Sequence, residues 1–137
     1  MEVDHITIND VTYPAFCDLK VLARIQDKYE TITKFERALL GQKVVHDEDG
    51  NPERNEDGSI IKEDTESSVE AIVDGLLFMI QEGQRIEGEE NLITEDELYT
   101  CIGNPYALKF VVHAVFMKCF SGKKKEDSPA TSRKTKK

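Results

Sequence analysis

The chain has no tryptophan, and its aromatic residues are six Phe and four Tyr. Its core must therefore be built mainly from Leu, Ile and Val. Cysteine is scarce as well. Cys17, Cys101 and Cys119 are odd in number and widely spaced, with no CxxC pair. That favours free thiols in a reducing cytosol. The opening MEVDHITIND lacks the charged-then-apolar pattern of a secretory leader. The longest apolar stretch, Phe110 to Phe116, is broken by His113 and is far short of the roughly 20 residues a membrane span needs.

Reactive constellations are also lacking. There is no glycine-rich phosphate loop, no GxSxG and no HExxH. His5, His46 and His113 stand apart from one another, and Cys101 and Cys119 fall in helical apolar patterns that suit inert packing. Asp47, Asp49 and Asn51 begin like a calcium loop. Pro52 then occupies the place of the sharply turning glycine, and Gly58 that of the bidentate glutamate. The reading is a non-enzyme with no cofactor and no metal; a diffuse carboxylate site would lack a mechanism.

Charge is abundant and uneven. The net charge of −9 divides into +5 on Ser121–Lys137, with seven basic and two acidic residues, and −14 on Met1–Phe120. An acidic body of this kind repels nucleic acid and anionic membranes and suits a basic partner surface. The basic tail mixes Lys and Arg with Ser, Thr, Glu and Asp and offers no aromatic stacking surface, which disfavours nucleic acid there too.

Along the chain, Ile6 and Ile8, an Asn9-Asp10 turn, then Val11 and Tyr13 predict a β-hairpin that Pro14 ends. Asp18 caps a helix with Leu19, Leu22, Ile25 and Tyr29 on one stripe. Thr33 and Glu36 form a capping-box pattern for a short helix carrying Phe35, Ala38, Leu39 and Leu40, with Gly41 as its C-cap. The polar run Asp47–Gly58, between Val44-Val45 and Ile60-Ile61, predicts an exposed acidic hairpin or mobile loop. Ser67 and Glu70 open the clearest amphipathic helix, over 67–84, with Gly83 closing it. Thr94 and Glu97 start another short helix. Pro105 opens a last helix, Tyr106 to Phe120, apolar round most of its circumference and expected to be the most buried. No internal repeat is evident.

The expected fold is mainly α with a small N-terminal β-hairpin (α+β). It forms a single helical domain over 1–122, with an exposed acidic loop at 47–58 and a disordered basic tail at 123–137.

The order of these features resembles the phage tail assembly chaperones. The resemblance rests on the hairpin Ile6-Thr7-Ile8-Asn9-Asp10-Val11-Thr12-Tyr13-Pro14 and on Leu19-Lys20-Val21-Leu22 followed by Gln26-Asp27-Lys28-Tyr29. It continues through the long amphipathic helix and Leu92-Ile93-Thr94-Glu95-Asp96-Glu97-Leu98, and ends with Asn104-Pro105-Tyr106-Ala107-Leu108 opening an apolar helix. It covers most of Ile6 to Phe120; the acidic loop lies outside it. It implies a non-enzymatic protein of the host cytoplasm that binds the tape measure protein and helps recruit tail tube subunits. A holder of helical clients needs exposed apolar anchors. The expected ones are Phe35, Leu39 and Leu40 on the short helix and Leu77, Phe78 and Met79 on the long one, where apolar residues exceed one core stripe. Exposed apolar surface also leaves a homo-oligomer open. The competing reading is a small regulatory or anti-host protein that binds a host protein or nucleic acid.

Overall fold

In a computed structural model, which describes residues 2–127, the chain folds as five helices with a small β-hairpin near the N-terminus and a short β-ribbon between the second and third helices. The hairpin pairs β1 (Asp4–Ile8) with β2 (Val11–Ala15). Asn9 and Asp10 both have positive φ, at 51° and 68°, as a two-residue type I′ turn requires. Pro14 does not end the strand; it lies within β2, opposite His5. Counting from the turn, Ile8 and Val11 are a hydrogen-bonded pair, so His5 and Pro14 are not, and the missing N–H of Pro14 costs the ladder nothing. Ile6 and Ile8 are buried on the inner face.

Helix α1 (Leu19–Tyr29) starts at Asp18, whose carboxylate accepts from Val21 N–H at 3.1 Å. Helix α2 (Ile32–Leu40) is capped by Thr31, not Thr33, and ends at Gly41 in the left-handed region. The long helix α3 (Val69–Ile86) is capped by Ser68, one residue beyond the expected Ser67. α4 (Glu95–Cys101) has the full capping box between Thr94 and Glu97. Asn104 caps a 3-10 turn over Pro105–Leu108, which feeds α5 (Lys109–Asp127). That helix continues past Gly122, where the sequence places the start of the tail; residues 128–137, the rest of the expected disordered tail, lie outside the described residues.

The acidic segment is more ordered than a mobile loop. β3 (Gln42–Val44) pairs with β4 (Lys62–Asp64). Beyond them the chain folds back so that Glu53 bridges both sides: its N–H donates to Val45 O, and its C=O accepts from Ile61 N–H, both at 2.9 Å. Two like turns close the fold, Asp47-Glu-Asp-Gly-Asn and Asn55-Glu-Asp-Gly-Ser. In each the glycine has positive φ and donates to the first residue's carbonyl at 3.0 Å. This eight-residue echo is a repeat that periodicity had not exposed. The calcium-like spacing has a plain cause as well: Asp47 Oδ1 accepts from the N–H groups of Asp49 and Asn51, an Asx turn.

The centre of the molecule is α3, not the last helix as expected from its apolar composition. From Ala71 to Ile80 every residue of α3 is buried. β2 lies directly on it: Phe16 N–H donates to Met79 O at 2.9 Å, and a Cβ at Gly83 would sit 2.6 Å from Ala15 N and from Pro14 C. Gly83 thus lies inside the helix as the point of closest strand approach rather than at its end. On another side a Cβ at Gly75 would lie 2.6 Å from Val112 Cγ1 of α5.

Candidate functional site

Five of the six expected anchors are core residues. Phe35, Leu39, Leu77, Phe78 and Met79 are buried, and Leu40 is half-buried. The excess of apolar residues on α3 reflects enclosure on all sides, by β2, α1, α2, α4 and α5. Phe35 stands in an aromatic row, with ring centroids 5.3 Å from Tyr29 and 5.5 Å from Phe116. Phe78 carries the guanidinium of Arg24 at 4.1 Å from its centroid. No partner could reach these side chains without opening the fold.

The polar groups buried with α3 are structural too. Asp74 accepts from Tyr29 Oη at 2.7 Å and pairs with Lys28 Nζ at 2.8 Å. Burial first, then the hydrogen bond to Asp74, pushes the Tyr29 phenol far above its ordinary value, and the same carboxylate raises Lys28. Gln84 accepts from Ile93 N–H at 2.9 Å, and Gln81 donates to Ile93 O at 2.7 Å, fastening the segment before α4. Glu82 is pushed up by a hydrogen bond with Asp18 and by burial, against the opposing pull of Arg85 and Lys20. Among the described residues no group of three or more His, Cys, Asp or Glu could hold a metal ion, and no helix is long and apolar enough to cross a membrane.

Exposed apolar side chains occur singly at Val11, Leu19, Val69 and Tyr99, and they cluster on α5. Val112, Val115, Phe116 and Cys119 face the core. The opposite side carries Phe110, Val111, Ala114 and Met117, with Ala107 of the 3-10 turn just ahead of them, all exposed, Phe110 at 67%. These positions recur at helical spacing and form one stripe. Its flanks are fixed. His113 Nε2 meets Glu36 Oε2 of α2 at 2.8 Å, Lys118 pairs with Asp4 of β1, and Lys109 Nζ donates to Ser67 Oγ at 3.0 Å. Chemically the stripe can bind apolar side chains; it holds no nucleophile or acid–base pair. A cavity of about 400 Å³ adjoins it, between Thr7–Asn9 of the hairpin and 100–104 with Ala107 and Leu108.

Compared with protein families, curated proteins and solved structures, the chain matches no family model, no curated protein and no solved structure. The site therefore rests on its own chemistry.

Sequence reasoning missed the stripe by reading an all-round apolar helix as a fully buried one. A signal was present: no Asp or Glu occurs between Leu98 and Lys125, in a chain with 27 of them. A surface helix with no acid before its last two residues, on so acidic a body, is set apart from ordinary solvated surface.

Proposed function

We propose that this chain is a non-enzymatic, protein-binding assembly factor of the tail-assembly-chaperone kind. It holds an apolar helical segment of the tape measure protein in the host cytoplasm and presents it for tail tube assembly. The observation that carries this reading is the acid-free, exposed stripe of α5 on an otherwise acidic body. Clustered exposed apolar side chains with polar flanks suit an amphipathic helix laid alongside. The acidic ribbon and body around it favour a client with basic residues beside its apolar face, and they keep the pair soluble. No cofactor takes part.

The test is co-expression with the tape measure protein, followed by affinity capture of this chain from the soluble fraction. The expected result is a soluble complex that is lost with Phe110→Asp. A client that stays insoluble with this chain in excess, or is captured equally by Phe110→Asp, overturns the reading.

A further inference from the structure

The stripe of α5 has opposite charge at its two ends. At its start, Tyr106 Oη donates to Glu66 Oε2 at 2.7 Å, and Lys109 Nζ reaches Ser67 Oγ at 3.0 Å. This is the root of the acidic ribbon, where Thr65 N–H donates to Gly41 O at 2.7 Å. From Asp47 to Glu66 the chain has nine acidic residues against two basic ones, a net −7. The far end is the reverse. α5 carries Lys123, Lys124 and Lys125 near its close, ahead of Glu126 and Asp127, and the chain from Ser121 onward sums to +5.

Between the ends the flanking charges are already answered. His113 meets Glu36 on one side of the stripe, and Lys118 meets Asp4 on the other. The middle is therefore nearly neutral, and the ends decide how a charged partner lies. From Lys109 to Lys125 the helix rises roughly 24 Å, at about 1.5 Å per residue. That is more than twice the Debye length of about 8 Å at physiological salt. Each end thus acts on its own part of a partner.

An amphipathic helix laid on Phe110, Val111, Ala114 and Met117 completes this layout when its cations lie beside the ribbon root and its carboxylates beside Lys123–Lys125. Helices favour acidic residues in the first turn and basic ones in the last, because these oppose the macrodipole. A helix charged in that way matches both ends of α5 only with its own first turn at the close of α5. Laid the other way, it sets acid beside acid at the root and lysine beside lysine at the far end. We infer that the client helix docks antiparallel to α5, with its acidic first turn beside Lys123–Lys125 and its basic last turn beside Glu66. This rests on the client reading above and adds to it the direction and charge pattern of the client.

The probes are two synthetic helical peptides of about 18 residues, which match the length of α5. They share one leucine–alanine stripe and one composition. The first carries its glutamates in the opening turns and its lysines in the closing turns; the second has them exchanged. Each is titrated onto the full chain at low salt, with a nitroxide at its N-terminus and amide NMR of the chain. The expected result is that the glutamate-first peptide binds at least about tenfold tighter. Its nitroxide broadens the amides of Met117–Phe120 and spares those of Tyr106–Phe110, and the gap between the peptides closes as salt approaches about 1 M. Glu66→Lys, at an exposed position, narrows the gap, which a mere difference in peptide helicity would not do. Equal affinities, tighter binding of the lysine-first peptide, a gap untouched by Glu66→Lys, or broadening at Tyr106–Phe110 overturns the inference and leaves the client reading standing. Binding of neither peptide to the stripe, or a second copy of the chain on it in their place, overturns both.

Discussion

Asp74 is the residue on which most of the buried polar chemistry converges. Its carboxylate answers both Tyr29 and Lys28 across the α1–α3 contact. Asp74→Ala should cost about 1–3 kcal/mol in denaturant unfolding, because it removes the acceptor of a half-buried phenol and the partner of a half-exposed ammonium. Glu82 gives a pH signature. Its folded pKa lies above the unfolded value, so the native state holds the proton to higher pH. Its stabilising contribution is full below the unfolded carboxylate pKa and is lost as pH rises through the raised value. The charged groups around it are Asp18, Lys20, Arg85 and, more remotely, Arg24. Glu82→Gln should therefore melt higher than the native chain at neutral pH, with the difference shrinking toward the acid side; a difference that grows on acidification contradicts this assignment. Neither role was legible in the sequence, since Tyr29 and Asp74 lie 45 residues apart and nothing local marks a carboxylate as buried.

At the scale of elements, local chemistry was legible and mutual burial was not. The Asn9-Asp10 turn, the Asp18 cap, the Gly41 C-cap and the Thr94–Glu97 box are each specified within a few residues, and each occurs as expected. Caps moved by one or two positions where neighbouring Ser or Thr residues compete, as at Ser67/Ser68 and Thr31/Thr33. The rank of α3 and α5 was inverted because composition records how apolar a helix is, not how many neighbours it has. The glycines decide it: Gly75 and Gly83 admit α5 and β2 close to α3. Gly83→Ala should destabilise by about 2–3 kcal/mol, because the new methyl meets strand backbone. Gly75→Ala meets the side chains of Val112 and Phe35, which yield more readily, and gains roughly 1 kcal/mol of helix propensity. It should cost clearly less, and thermal melts of the two variants measure the order.

For the whole molecule, the division of charge and apolar surface sets behaviour. The core residues first expected to be anchors hold the fold together, and the exposed stripe of α5 is left to meet other chains. Stability and binding should therefore separate. Phe116→Ala, in the core, should cost about 3–5 kcal/mol. Phe110→Asp, 67% exposed, should leave stability within about 0.5 kcal/mol.

The central claim is that α5's outer face is the working surface. It is tested most directly by measuring client affinity for Phe110→Asp beside its melting temperature. The account predicts an unchanged melting temperature with binding reduced by at least about a hundredfold, as for an anchor at an interface centre. Full client affinity in a folded Phe110→Asp would contradict it.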